Sequence, residues 1–377
     1  MADMITLFGS SVGKEEVGAV ARTFEKQWVG IGKETTEFEK QIASKTGIPS
    51  FVFLNSGSNA LQLAVRLLNL PEGSEVILPS FTWIACANAI KLNRLVPVFC
   101  DVDLDTANVT RETVEAKITK KTKAVMVVHY AGKPVDMDPI MDLDLPVIED
   151  AAHAVDSYYK GKHCGAIGSL GIFSFDAVKN ITTGEGGGLL SQDTSKLDYA
   201  RKLRYCGIAK SGFESTTTKN RWWEYEIHDF FPKMLNTDMA AAMGIEQLKK
   251  LDQFQSRRKE IWNQYSKCFR TESWANTWLD IPAEAESHEK HSYFTYLIRL
   301  KKGNRDELAH FLFEKKIYTS LRYHPLHLNA IYGSSDRLPV SEKLNETGLN
   351  IPLHQRMTND DVSRILSALK EFRESKV

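Results

Sequence analysis

The chain has 377 residues, 42% hydrophobic and 25% charged, and its 48 basic residues balance 48 acidic ones. That length supports a large core and a second domain, and the neutral balance lacks the electrostatic footprint of a general nucleic-acid binder, so an anionic ligand must be met locally. The longest apolar runs, such as Lys123-Ala-Val-Met-Val-Val128, are strand-sized, far short of the roughly 20 residues of a membrane helix.

The first residues, Met1-Ala-Asp-Met-Ile-Thr-Leu7, show no basic stretch followed by an apolar core, so no export signal is expected. Residues 13–46 read as two helices interrupted by Trp28-Val-Gly-Ile-Gly32, whose glycines end the first. From about Phe51 to Leu190, short apolar runs alternate with helix-like stretches, the pattern of a mostly parallel sheet with helices on both faces. A helix after Asn55-Ser-Gly-Ser58 carries Leu61, Ala64, Val65 and Leu68 at helical spacing. Strands are predicted at Glu75–Leu78, Val96–Cys100, Ala124–Val128, Pro146–Glu149, Leu170–Ser174 and Gly187–Leu190. Their endings put Pro79-Ser-Phe-Thr82, Asp101 and Asp150-Ala-Ala-His153 at carboxyl edges of the sheet, where open α/β folds bind ligands. Thr237 to about Lys267 reads as a long helix leaving the first domain. Beyond about residue 285, a strand at Tyr293–Arg299, a helix at Arg305–Lys315, a further short strand and a helix from Asp360 suit a smaller α/β domain.

The cysteines Cys86, Cys100, Cys164, Cys206 and Cys268 are widely spaced and odd in number, without a Cys-x-x-Cys or Cys/His cluster. Neither a disulfide framework nor a metal site is expected, and a reducing cytoplasm fits.

The chemistry concentrates in Gly171-Ile-Phe-Ser-Phe-Asp-Ala-Val-Lys179-Asn-Ile-Thr-Thr-Gly-Glu-Gly-Gly-Gly188, read with Val147-Ile-Glu-Asp150. Lys179 sits at the mouth of an apolar strand among hydroxyls and glycines, and Asp150 closes another strand. Pyridoxal 5'-phosphate needs a lysine to hold its aldehyde as a Schiff base and a carboxylate to keep its ring nitrogen protonated. Ala151 and Ala152 leave room for a flat ring. His153 suits either contact with that ring and its phenolic oxygen or a buried structural role. Trp83 suits either ring stacking or the core. Ser56-Gly57-Ser58-Asn59 at a helix start offers N–H groups and a positive dipole end to a phosphate. The triple glycine at 186–188, taken alone, reads as a tight turn.

Together these segments resemble the sugar aminotransferases of the DegT/DnrJ/EryC1/StrS family. The resemblance runs from Gly30-Ile-Gly-Lys-Glu-Thr-Thr-Glu-Phe-Glu39 through Asn55-Ser-Gly-Ser-Asn-Ala-Leu61, Pro79-Ser-Phe-Thr-Trp83, Val128-His-Tyr-Ala-Gly132 and Ile148-Glu-Asp-Ala-Ala-His153. It continues through the lysine segment, Thr237-Asp-Met-Ala-Ala-Ala-Met-Gly-Ile-Glu-Gln-Leu248 and Asn350-Ile-Pro-Leu-His354. It implies the fold-type I architecture of pyridoxal-phosphate enzymes: a large domain over 1–250 with a mostly parallel seven-stranded sheet flanked by helices, and a smaller α/β domain over 251–377. It also implies that Lys179 forms the Schiff base, Asp150 pairs with the pyridine nitrogen, and Trp83 stacks on the ring with His153 nearby. Gly57, Ser58, Asn59 and Ser174 would hold the phosphate, and Lys233 would reach the phosphate of a neighbouring subunit in a homodimer. Lysine at 179 separates the chain from a related branch that carries histidine there and removes sugar hydroxyls. Asp176 stands where many members have histidine.

The expected reaction has two halves: an amino acid, usually glutamate, converts the cofactor to pyridoxamine 5'-phosphate, which then aminates a keto sugar. The expected acceptor is a nucleotide-linked 4-keto-6-deoxyhexose, with a 3-keto isomer or an aminocyclitol precursor as alternatives. Leu321-Arg-Tyr-His-Pro-Leu-His327, similar to the family's substrate loop, supplies Arg322, His324 and His327 for the diphosphate. For the two histidines, interdomain packing is the alternative. Lys202 and Arg204 are further candidates at the entrance, and Gly207 to Tyr225 is the expected specificity segment. A cofactor-binding regulator without turnover and a lyase on the same fold are the competing classes.

Overall fold

The computed structural model describes residues 4–208 and 225–376. After helices α1 (Lys14–Glu25) and α2 (Lys33–Thr46), strands and helices alternate: β1 (Ser50–Leu54), α3 (Gly57–Leu67), β2 (Glu75–Pro79), α4 (Ile84–Leu92) and β3 (Val96–Cys100). Then come α5 (Arg111–Glu115), β4 (Thr122–Val128), α6 (Met137–Met141), β5 (Val147–Asp150), the short strands β6 (Tyr158–Tyr159) and β7 (Lys162–His163), β8 (Leu170–Ser174), β9 (Gly187–Ser191) and α7 (Thr194–Leu203). Helix α8 (Asp238–Thr271) is one continuous helix across position 250. Last are α9 (Ser273–Asn276), β10 (Leu279–Asp280), β11 (Glu289–Lys290), β12 (Tyr296–Leu300), α10 (Arg305–Glu314), α11 (Pro339–Thr347), β13 (Gly348–Ile351) and α12 (Asn359–Ser375). Among the described residues no helix is long and apolar enough to cross a membrane.

Seven strands form the main sheet in the order β1-β9-β8-β5-β4-β2-β3, and β9 alone runs against its neighbours. Helices α3 to α6 connect β1 through β5, whereas β5 and β8 are joined by the short strands β6 and β7; apolar clusters lie on both faces of the sheet. Strand β1 went unnamed in the sequence because Phe51-Val-Phe-Leu54 is fully buried and has no alternation. The strand predicted from Tyr293 begins only at Tyr296. Ser292 and Phe294 donate their N–H groups to Gly132 and Ala131 instead, which turns Phe294 away from the small sheet β10-β12-β13.

The triple glycine is not a turn. Gly187 and Gly188 belong to β9, and a Cβ on Gly187 would run into the backbone of Ser56 and Gly57. Glycine there lets the start of α3 pack directly on the sheet. Asp101, placed at a ligand edge by the sequence, instead accepts the N–H groups of Val340 and Ser341 at 2.9 and 2.7 Å and caps α11.

The chain's start also crosses over. Ile5 pairs with Ile317 and lies in the core of the small sheet, and Phe8 stacks on Phe294 at 5.3 Å.

The sheet is held at its centre by a buried carboxylate. Glu149 accepts N–H groups from Gly165, Ile167 and Gly168 at 2.8, 2.7 and 2.6 Å, and lies 2.9 Å from His129 Nε2. His129 Nδ1 accepts the Val135 N–H at 3.0 Å, so Nε2 carries the proton and donates to Glu149. Burial alone would raise the Glu149 pKa, but these hydrogen bonds outweigh it and hold the carboxyl below its ordinary value. A depressed folded-state pKa stabilises the protein above the unfolded value and is lost as pH falls through the folded one. Glu149→Ala is therefore expected to cost about 3–5 kcal/mol at neutral pH. Urea unfolding should also show the gap between wild type and Glu149→Gln narrowing as pH falls below about 4.3.

Candidate active site

The carboxyl ends of β4, β5 and β8 and the start of α3 surround a cavity of about 300 Å³, lined among others by Val128, Asp150, Ile172, Ser174 and Lys179. This is the edge at which open α/β sheets bind ligands.

Strand alternation sends Asp150 to the face opposite Glu149. Its Oδ1 accepts the Ala152 N–H at 3.0 Å and its Oδ2 accepts the Cys86 thiol proton at 3.1 Å. Burial and the Asp150 charge raise the Cys86 pKa well above the usual thiol value, so Cys86 stays a thiol and donates. Nothing in the sequence marks Cys86 as a site residue. It comes from α4, which no local pattern connects to β5.

Lys179 follows β8 in a loop whose turn is closed by its own N–H to Asp176 O at 3.0 Å. Its Nζ lies 4.9 Å from the centre of the Phe294 ring. Burial first, and the neighbouring Arg322 charge second, bring its pKa down to about 8, against the opposing pull of Asp150 and Asp176. The amine is thus poised to react near neutrality.

At the other wall, Ser56 caps α3 by accepting the Asn59 N–H at 3.1 Å, and the Asn59 amide donates to Asn55 at 2.7 Å. Asn59, expected at the phosphate, has its backbone N–H and one amide N–H engaged in this cap and is not among the residues lining the cavity. The N–H groups of Gly57 and Ser58 begin the helix with no acceptor in it, and both residues line the cavity beside Ser174. A Cβ on Gly57 would come within 2.8 Å of Ser174 Cβ.

Aromatic rings form the upper wall. Trp83 is 55% exposed and its ring centre is 5.7 Å from that of Tyr323. The Tyr323 hydroxyl lies 3.0 Å from His153 Nε2, and His153 stacks on Phe294 at 4.0 Å. Burial, then the charges of Lys179 and Arg322, keep His153 neutral, and its Nδ1 is buried without a partner.

Arg322 also lines the cavity, but the two histidines of its loop do not. His327 is buried outside the cavity lining, with Nδ1 2.6 Å from Ser80 Oγ and Nε2 3.5 Å from Glu342, contacts that fit the packing alternative. His324 is turned outward onto Asn345 at 3.0 Å. Arg204 is a buried strut between Glu39 and the Phe53 carbonyl, and Lys202 lies outside the cavity lining. Lys233 is exposed, 6.0 Å over the Tyr205 ring and away from its own chain's cavity. Most of the expected specificity segment, residues 209–224, lies outside the described residues.

Asp176 and Glu185 both line the cavity. Asp176 accepts the Val178 N–H at 3.0 Å, which shapes the lysine loop. Burial and the neighbouring Asp176 raise the Glu185 pKa.

Comparison with known proteins matches the DegT/DnrJ/EryC1/StrS aminotransferase family over residues 10–370. The chain belongs to that family. It is 39% identical over 369 residues to a dTDP-4-dehydro-2,3,6-trideoxy-D-glucose 4-aminotransferase of Saccharopolyspora spinosa, covering 96% of this chain and 95% of that one. The aminotransferase TlmJ from Streptoalloteichus hindustanus superposes with a TM-score of 0.93 at 36% identity, over 99% of this chain and 100% of that one. A putative sugar aminotransferase, Spr1654, from Streptococcus pneumoniae in its PLP-form superposes at 0.91 with 27% identity, over 99% and 100% of the two chains. The family is pyridoxal-phosphate-dependent.

The residues fit that cofactor. The Asp150 carboxylate has both oxygens oriented and is buried at the cavity floor, the helix start and Ser174 form a close cradle, and Lys179 has no salt-bridge partner among the described residues. Because Cys86 supplies one of the two hydrogen bonds that orient Asp150, Cys86→Val is expected to weaken pyridoxal-phosphate affinity about tenfold while Cys86→Ser retains it. Equilibrium titration of apoprotein with the cofactor, read by absorbance, checks this.

Proposed function

We propose that this aminotransferase moves an amino group from L-glutamate to a nucleotide-linked 4-keto-6-deoxyhexose, using pyridoxal phosphate held by Lys179 and Asp150. The observation that carries the reading is the convergence of a lysine with a lowered pKa and an oriented, buried carboxylate in one cavity. The acceptor class is supported by the 39% identity to an enzyme named as a dTDP-4-keto-sugar 4-aminotransferase.

When bound, the cofactor supplies an aldehyde that exchanges between amines and a ring that accepts electrons from the carbon being aminated. Asp150 would keep the ring nitrogen protonated and so the ring electron-poor. The N–H groups of Gly57 and Ser58, with Ser174, hold the phosphate at the positive end of α3. Trp83 would stack on the ring, with neutral His153 nearby. Lys179 Nζ would hold the cofactor's aldehyde and, as a free amine, would serve as the base that moves the proton.

The homodimer is part of this proposal. Lys233 is exposed on its own chain and is assigned to the phosphate of the partner subunit. Mixing Lys179→Ala and Lys233→Ala chains should then restore activity, because a mixed dimer contains one intact site. Unchanged inactivity in a verified mixed dimer would refute the crossing.

Lys179→Ala is expected to abolish turnover and the absorbance band of lysine-bound cofactor. A pKa of about 8 leaves roughly a fifth of the lysine neutral at about pH 7.4, against about one in a thousand for an ordinary lysine. The neutral amine is the nucleophile, so capture of pyridoxal phosphate by apoprotein should accelerate with pH through a midpoint of about 8. Stopped-flow absorbance across pH 6.5 to about 10.5 reads this, and a midpoint at the ordinary lysine value of about 10.4 would contradict it.

A further inference from the structure

The amine of Lys179 has an aromatic ring for a neighbour where a charged group would ordinarily have an acid. Its Nζ lies 4.9 Å from the centre of the Phe294 ring, and among the described residues it forms no ion pair. Four other lysines set over rings are held differently. Lys160, Lys290, Lys315 and Lys376 lie between 5.1 and 5.5 Å from ring centres, and each also meets a carboxylate, of Asp138, Asp156, Glu371 and Glu307 respectively. Those four are surface residues, whereas Lys179 lines the cavity.

Phe294 is wholly buried and built firmly into place. Its N–H donates to the Ala131 carbonyl at 2.8 Å, and its own carbonyl accepts from Nη1 of the buried Arg258 at 3.2 Å. Phe8 lies nearly parallel to the ring, at 5.3 Å and 16°, and so does His153, at 4.0 Å and 13°. The lysine loop is tied to the same segment. The amide of Asn180, the residue after the lysine, donates to the Ser292 carbonyl at 2.7 Å and to Gln255 Oε1 at 3.0 Å. Lysine and ring are therefore fastened to each other although Asn180 and Ser292 are 112 residues apart.

A ring and a carboxylate hold an ammonium in different ways. The negative face of a ring attracts the cation modestly, whereas a carboxylate in contact would also secure the proton and keep the amine charged at neutral pH. A lysine that must stay near the reacting centre and yet give up its proton is served by the ring. Of the charged groups facing it, Arg322 opposes the lysine charge and Asp150 and Asp176 favour it, while the Cys86 thiol and His153 are neutral and Glu185 lines the same cavity. A cationic histidine stacked there would compete for the same ring.

We propose that Phe294 is the seat of the Lys179 ammonium: its ring holds Nζ beside the reacting centre whenever the amine is not bonded to the cofactor, without securing the proton. This rests on the lysine assignment made above. Phe294 is a positioning residue that acts through Lys179, with Phe8, His153 and Arg258 fixing the ring.

The test replaces Phe294 in the full chain by mono-, di- and trifluorophenylalanine, which keep the ring while progressively removing the negative potential of its face, and separately makes Phe294→Leu. Capture of pyridoxal phosphate by each apoprotein is followed by stopped-flow absorbance across pH. The ring favours the charged amine, so weakening it should lower the midpoint from about 8 by roughly half a unit to one unit, in step with the number of fluorines. Below the midpoint the rate should rise about three- to tenfold, and the plateau at high pH, where the amine is neutral in every variant, should stay within about twofold of wild type. Phe294→Leu should show the same shift. A midpoint that ignores fluorination overturns the proposal, as does a lower plateau with an unmoved midpoint, the mark of a ring that only fills space. Wild-type apoprotein that captures no pyridoxal phosphate at any pH overturns the lysine assignment itself.

Discussion

A buried carboxylate at the centre of the sheet, Glu149, sets the frame in which the rest of this protein operates. Three backbone N–H groups and the His129 ring converge on it, tying the loop at residues 165–168 and the end of β4 to strand β5. A strand turns successive side chains to opposite faces. With Glu149 held on one face, the next residue, Asp150, is delivered to the other, where the cavity lies. Two adjacent acids thus have opposite tasks, one satisfied inside the protein and one left with capacity for a ligand. Removing either would affect the other, because the register of β5 serves both.

The same economy of contact forms the close cradle between the start of α3 and Ser174. Gly187 lets the start of α3 approach β9 more closely than any side chain would allow, and Gly57 lets it approach Ser174. The helix end with its free N–H groups, the serine and the lysine loop meet because these glycines have no Cβ. Around the cradle the charges are unequally spent. Asp101, Glu149 and Arg204 are neutralised by backbone or opposite charge, while Lys179 and Arg322 keep theirs. Binding capacity resides where the protein has not provided its own partner.

Much of this was legible in the residues. Apolar runs alternating with helical periodicity indicated the sheet, and the pairing of Lys179 with Asp150 indicated an aldehyde cofactor, because both signals are local. What failed was local as well. Strand β1 carries no alternation, since both its faces are buried. The glycines at 187 and 188 resemble a turn, although they serve close packing. Asn59 sits in a motif suited to phosphate, yet its backbone N–H and one amide N–H serve the helix cap.

Sequence alone determined the fold class and the family, and it singled out Lys179 and Asp150, which the structure brings to one cavity, since periodicity and short motifs depend on neighbours along the chain. Tertiary structure alone decided which charged groups remain available. The Cys86 thiol on Asp150, the Phe8 ring on Arg322 and the packing of His327 against Ser80 join segments separated by 64 residues or more. Whether a buried charge is satisfied depends on what such distant segments bring to it, and no pattern along the chain encodes that.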